Sequence, residues 1–402
     1  MTNLYGFGVA GRRVAETNQD NIVTLFGYDG SRLTLVTNAL GTPEQMITRY
    51  EYDEAGNLLR QIDAMIHTNT FSYDSLGRRI AHWMPDTNLV ERFGYNLAGN
   101  LVYHTNFNGV IITNQYDVMN RLTNRASVNG YEVRFGYAPT GQRTNMADAS
   151  GTTGYAYDLR DRLTNKVVAW AGGPSVSLNY RYDANGNLTH LWSSTANGVT
   201  NSYHYDALSR LTNALGRDSV SAGYTFDAVG NLQTVRYGNN VTNLYQYDRL
   251  NRLTNALWKL NAGTLGGFYY KLGLSGMRTN LDETLNGTAR NYAWTYDALY
   301  RLKHEAITGG TVGTLDYGYD AVGNRTGRTR TGAGLSLTNQ SFTFNTNDWV
   351  STDAYDANGN TLWSTNGPLA GPYAYDVENR LANFNNGAVL LGYNGDGARV
   401  KK

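Results

Sequence analysis

The chain has 402 residues, 34 basic and 33 acidic side chains, a formal net charge of +1, no cysteine and 12% aromatic residues. It shows no clustered Lys and Arg of the kind a phosphate backbone needs, which argues against a nucleic-acid partner. Its aromatic content excludes a chain too polar to fold, and the lack of cysteine removes disulfides, thiolate metal sites and Cys nucleophiles.

Apolar runs are only a few residues long, so no membrane span is expected. The opening stretch MTNLYGFGVAGRRV has no signal-peptide pattern. It begins almost inside a repeat, which suggests a fragment of a larger protein.

In chain order, one unit recurs from end to end. Its anchor is an aromatic residue, replaced once by Leu272 and usually followed by Asp and a turn, and there are nineteen anchors. They are Phe7, Tyr28, Tyr52, Tyr73, Tyr95, Tyr116, Tyr137, Tyr157, Tyr182, Tyr205, Phe226, Tyr247, Leu272, Tyr296, Tyr319, Phe344, Tyr355, Tyr375 and Tyr393. The mean interval is about 21 residues, the signature of a repeat architecture. The step from 344 to 355 is irregularly short. Residues 1–402 therefore read as a single array with no separate domain.

A second aromatic usually stands two residues before the anchor, as with Tyr245 and Tyr247, which places both rings on one face of a strand. Next comes Asp-x-x-Gly. The Asp accepts backbone N–H bonds within a type I turn, and the fourth position needs a positive φ. Thirteen units place Gly or Asn there, and the repeat positions are represented by Tyr52-Asp53 with Gly56, Tyr73-Asp74 with Gly77, Tyr116-Asp117 with Asn120, Tyr182-Asp183 with Gly186, Tyr247-Asp248 with Asn251, Tyr319-Asp320 with Gly323 and Tyr375-Asp376 with Asn379, with Tyr205-Asp206 keeping the anchor pair alone. Ser209, Asp161 and Tyr300 depart from Gly or Asn, and Tyr300 is the worst fit because a bulky residue is strained there. A second turn falls at Asn108-Gly109, Asn129-Gly130 and Asn197-Gly198, more loosely at Asn286-Gly287 and Asn386-Gly387. The sum is an all-β fold: a continuous antiparallel hairpin meander of roughly 38 strands, two per repeat. Sheet twist should coil it.

Little in the repeat points to chemistry. One Asp per turn at every turn is better explained by capping than by a pair of catalytic carboxylates, or by calcium, which wants several convergent oxygens. His67, His82, His104, His190, His204 and His304 have no metal-ligand spacing. There is no Gly-x-Ser-x-Gly elbow, and NAGTLGGF at 261 lacks the Lys of a phosphate loop. No catalytic residue, metal or cofactor is expected. Regular aromatics read as packing ladders. Trp258 and Trp363, outside the repeat consensus, are the candidates for an exposed, ligand-binding face. Thr-Asn steps read as polar rungs, and the Arg after each turn as a partner for the Asp of a neighbouring turn.

The stretches YDEAGNLL, YDSLGRRI, YDALSRLT, YDANGNLT and YDVENRLA resemble the YD repeats of the RHS family. That family includes bacterial RHS polymorphic toxins, the C component of insecticidal ABC toxins and animal teneurins. The resemblance covers the whole chain, and the absence of Cys fits the bacterial branch. The final repeats resemble those that precede the family's core boundary.

The resemblance implies a β-strip coiled into a hollow shell or tube that encloses a C-terminal toxin. The family's self-cleaving boundary carries Asp-Pro motifs. This chain has no Asp-Pro dipeptide, so that activity is not carried over. The expected function is a non-enzymatic, secreted or cell-surface shell segment whose partners are the core boundary and cargo domain of the parent chain. Two alternatives stay open: an adhesive or self-assembling fibre joined through open repeat ends, and a carbohydrate-binding surface built on exposed aromatics.

Overall fold

A computed structural model of the chain describes residues 3–217, 221–364, 371–385 and 387–402. Among these residues there is no α-helix, and 38 strands succeed one another. The first 31, from Leu4–Phe7 to Gln340–Ser341, belong to one sheet. In every described pairing a strand lies antiparallel to its neighbour in the chain. Val241–Tyr247 pairs with Leu253–Leu260, which pairs with Gly263–Leu272.

The meander does not continue to the end. The last seven strands fall into three small sheets: Ala354–Tyr355 with Thr361–Trp363, Tyr373–Tyr375 with Leu381–Phe384 and Val389–Leu390, and Gly392–Tyr393 with Arg399–Lys401. The physical reason is length. These strands are two to four residues long and form few ladder bonds each, and the main sheet itself ends on the two-residue Gln340–Ser341.

The chain divides into two compact units. One comprises Met1–Arg78, Trp83–Asp86 and Gly223–Ser351, the other Arg79–His82, Thr87–Ala222 and Thr352–Lys402. Within each, early repeats meet late ones. In the first, Asn18 and Asp20 bond the Tyr300 hydroxyl. In the second, the three C-terminal hairpins dock through their turns: Asp356 accepts from Asn108 Nδ2 at 2.9 Å, Glu378 pairs with Arg125 at 2.9 Å, and Asp396 pairs with Arg143 at 2.7 Å.

Deep core is sparse. Val133 and Met146, each 1% exposed, are the largest fully buried side chains. Most strand residues are half-buried, as a single sheet layer requires. Cohesion therefore comes from contacts between adjacent repeats, as in other quasi-linear arrays.

Candidate functional site

The repeated turn carries the most chemistry. In the unit at Tyr247, the Asp248 N–H donates to the Arg252 carbonyl at 2.9 Å, and the Asn251 N–H to the Asp248 carbonyl at 3.0 Å. Asp248 Oδ1 accepts the N–H of Leu250 at 2.8 Å and of Arg252 at 3.0 Å. Asn251 sits at φ +59°, and the strand register shifts between Gln246 and Tyr247. This is a type I turn closed by a left-handed residue and a bulge. Left-handed backbone recurs at Gly56 (+94°), Gly77 (+73°), Asn120 (+61°), Gly186 (+94°), Gly323 (+103°) and Asn379 (+60°). Ser209 (+59°), Asp161 (+61°) and Tyr300 (+62°) adopt it despite their side chains.

Both oxygens of these aspartates are engaged. The Oδ2 takes a side-chain N–H from the residue four positions on. That donor is Asn at Asp53, Asp183 and Asp320 (2.8–2.9 Å) and Arg at Asp74, Asp117, Asp206, Asp248 and Asp376 (2.6–2.7 Å). The side-chain bond from Arg121 holds Asp117 below the usual carboxylate range, with the Arg121 backbone N–H next. The bond from Asn57 does the same for Asp53. At Asp248 and Asp206 the leading cause is the backbone N–H four residues on. These carboxylates are turn locks, with no oxygen free for acid–base chemistry.

The Arg–Asp bridge, expected between neighbouring turns, forms within a single turn. Arg78, Arg121, Arg162, Arg210, Arg252, Arg301 and Arg380 each pair with the Asp of their own turn, because a side chain four residues on crosses the turn and returns over it. The other arm of the guanidinium reaches a backbone carbonyl of the next turn: Arg121 to Ala138 (2.8 Å), Arg162 to Asp183 (3.0 Å), Arg252 to Gly273 (3.0 Å), Arg301 to Asp320 (3.1 Å). The same Arg lies over the next anchor ring, Arg162 on Tyr182 at 4.8 Å and Arg301 on Tyr319 at 4.6 Å.

A rule between adjacent turns follows, which residue-by-residue reading missed. Where the next left-handed residue is Gly, the preceding turn supplies Arg. A Cβ at Gly56 would stand 3.5 Å from Arg32 Nε, and one at Gly397 3.6 Å from Arg380 Nη1. Where that residue has a side-chain acceptor, the preceding turn supplies Asn: Asn100 to Asn120 (2.7 Å), Asn187 to Ser209 (3.1 Å), Asn231 to Asn251 (3.0 Å), Asn360 to Asn379 (2.9 Å). Asn57 before Gly77 and Trp349 before Gly359 depart from the first half of the rule, and Gln142, which donates to Asp161, takes the place of Asn in the second. Comparing each turn with its successor would have exposed the rule.

The anchor tyrosines tie repeats together through their hydroxyls. Tyr52 donates to the Leu33 carbonyl (2.8 Å), Tyr116 to Leu101 (2.9 Å), Tyr182 to Leu163 (2.8 Å), Tyr205 to Leu188 (2.9 Å), Tyr247 to Leu232 (2.9 Å) and Tyr319 to Leu302 (2.8 Å). Burial pushes the phenols of Tyr116, Tyr182, Tyr205, Tyr247, Tyr319 and Tyr375 above their ordinary value. The Thr of Thr-Asn is no rung between repeats. Thr254 Oγ1 donates to the Gln246 carbonyl at the bulge (3.1 Å), and Thr123, Thr164, Thr212 and Thr279 do the same eight residues back. One Asn rung does form, Asn165 to Asn179 at 2.8 Å.

At the second turns, Gly109 (+73°) and Gly130 (+81°) are left-handed while their Asn is not. Asn286 (+49°) and Gly287 (+78°) both are, as a type I′ hairpin demands. Gly198 has no positive φ. Asn386 lies outside the described residues.

Of the candidate aromatics, Trp363 is 43% exposed. Trp258 is half-buried, its ring edge-on to Phe268 at 4.8 Å. A cavity of about 260 Å³ is lined by Arg181, His190, Trp192, Thr200 and Asn201, but Arg181 covers the Trp192 face at 5.2 Å. A histidine cluster escaped the spacing analysis because it spans three strands: Glu91 accepts from His82 Nδ1 and His104 Nε2, each at 2.9 Å. Burial pushes the Glu91 carboxyl up, but those two bonds outweigh it and hold the group at about 2.

Comparison with known proteins gives concordant results. The RHS Repeat family model matches residues 182–220. Over 160 residues, 38% of this chain, the sequence is 31% identical to the Double-stranded DNA deaminase toxin A of Burkholderia cenocepacia (strain H111). The stretch amounts to 10% of that protein. Among solved structures, the crystal structure of TcdB2-TccC3-Cdc42 matches 99% of this chain with a TM-score of 0.81 and 17% identity. The Photorhabdus luminescens Tc holotoxin pore matches 99% with a TM-score of 0.79 and 16% identity. This chain spans about a quarter of each of those chains, and the likeness establishes the fold. With its YD turns, its meander and these matches taken together, the chain carries a match to the RHS repeat at residues 182–220 and has the fold of the matched Tc toxin chains.

Proposed function

We propose that this chain is a wall segment of a secreted bacterial RHS-type toxin, and that the wall surrounds a C-terminal domain of the parent protein and keeps it from its surroundings. The observation that carries the reading is the use of the repeat's own polar groups. Asp, Arg or Asn, Tyr and Thr of the consensus are bonded within the turn or to the adjacent repeat. Such a repeat makes wall and leaves no reactive constellation. The names of the relatives, a deaminase toxin and Tc toxin chains, support a toxin context. Any toxic chemistry of the parent would then lie outside these strands.

The test is protease protection of the parent chain with its downstream segment retained. The reading expects that segment to survive protease under native conditions and to be degraded once mild denaturant opens the sheet. Rapid degradation under native conditions, with the repeats intact, would contradict it.

A further inference from the structure

The turn between Leu58–Ile62 and Thr68–Tyr73 is built like the YD turns, but its chemistry differs. Asp63 Oδ1 accepts the N–H groups of Met65 (2.8 Å) and His67 (2.9 Å). The residue four positions on, Asn or Arg at Asp53, Asp183, Asp248 and their like, is here His67. Its Nδ1 stands 3.4 Å from Asp63 Oδ2, against 2.6–2.9 Å for the Asn and Arg donors elsewhere. The same nitrogen is 3.6 Å from Oδ1 of Asp348, which belongs to a distant turn of the same unit. It is buried and has no hydrogen-bond partner. Both distances exceed a working N–H···O bond. The turn also holds Ile66 at φ +68°, a strained position for a β-branched residue.

We propose that Asp63, His67 and Asp348 are a divalent-metal site of the zinc class, which clips the turn at 63–67 to the turn at 345–349. One donor atom from each residue lies within 4.8 Å of the others. Zinc bonds to N and O are about 2.0–2.2 Å, so the edges of a tetrahedral site are roughly 3.3–3.6 Å. The two N···O separations, too long for hydrogen bonds, have that length. One neutral imidazole and two carboxylates suit a zinc-class cation, and a water would complete the fourth position. Asn324 Nδ2 donates to Asp348 Oδ1 at 2.8 Å and orients it from outside the site. The distance along the chain between His67 and Asp348 explains why sequence spacing did not reveal the set.

The test is zinc titration of the chelator-stripped full chain by calorimetry, alongside His67→Asn. That variant installs the Asn that Asp53 and Asp183 already use, so the turn keeps a natural partner. The proposal expects one zinc per chain in the wild type, and affinity weakened more than about tenfold in His67→Asn with its far-UV spectrum unchanged. Cobalt should give an intense tetrahedral visible spectrum, lost in Asp348→Asn. Absence of stoichiometric binding, or equal affinity in His67→Asn, would overturn it.

Discussion

The Tyr300 hydroxyl donates to Asp20 Oδ2 at 2.7 Å across 280 residues of sequence, and accepts from Asn18 Nδ2 at 2.7 Å. This pair explains the poorest fit to the repeat. Tyr300 occupies the left-handed position at φ +62°, where Gly or Asn is preferred. From there its ring reaches a turn near the start of the chain. Burial, then the bond to Asp20, pushes its phenol above the ordinary value.

Tyr300→Phe keeps the ring and the strain but loses both bonds. It should lower stability by about 1–3 kcal/mol in a urea titration. Tyr300→Gly, which relieves the strain, should not restore what is lost. Wild-type stability in Tyr300→Phe would mean that the contact is incidental.

The rule linking adjacent turns predicts coupling between Arg252 and Gly276, where a Cβ would already stand 3.9 Å from the Arg. Gly276→Asn alone should destabilise, because the new side chain meets the guanidinium. Adding Arg252→Asn should recover part of the loss, since Asn-then-Asn is used at 231 and 251. A double-mutant cycle should return a favourable interaction of about 0.5–3 kcal/mol. Strict additivity would reject the rule.

Acid should unfold the chain below a flat plateau. Turn aspartates such as Asp117 and Asp248 have depressed folded-state values, so their contribution is complete above the unfolded carboxylate range. It fades as pH falls through the folded value. Glu91 has the same sign, lowered from 4.5 to about 2. Its share should be lost between those two values. Melting temperature against pH should therefore hold steady from neutrality to about 4.5 and drop beneath it. Glu91→Gln should flatten part of that drop, and an identical acid limb in the variant would contradict the assignment.

Gly395 seats the last hairpin on the most buried residues of its unit. A Cβ there would stand 2.4 Å from Val133 Cγ1 and 3.0 Å from Met146 Sδ. Its N–H also donates to Asp148 Oδ2 at 2.6 Å. Gly395→Val should release the Gly392–Tyr393 and Arg399–Lys401 pair and raise its hydrogen-exchange rate, with the central strands unchanged. Unaltered exchange would show that the hairpin is held by other means.

Much of this architecture was legible in the sequence because the repeat is local. Tyr247, Asp248 and Asn251 each act within a few residues, and propensity and turn chemistry suffice to place them. Contacts between repeats were legible only in kind. The Arg was expected to seek a neighbouring Asp, yet its own turn's carboxylate is nearer. What joins distant repeats was not legible: Tyr300 looked like a defect, His67 like a lone histidine, and nothing in the repeat marks Gly395. Their partners lie hundreds of residues away, and no periodicity points to them. The end of the main sheet after Ser341 also escaped notice, because short strands keep the YD signature after they lose the ladder.

The most direct measurement of the central claim is cryo-electron microscopy of the parent protein with its downstream segment present. The account predicts density for that segment on the enclosed side of a continuous wall of these strands. A downstream domain resolved outside the wall and open to solvent would contradict it.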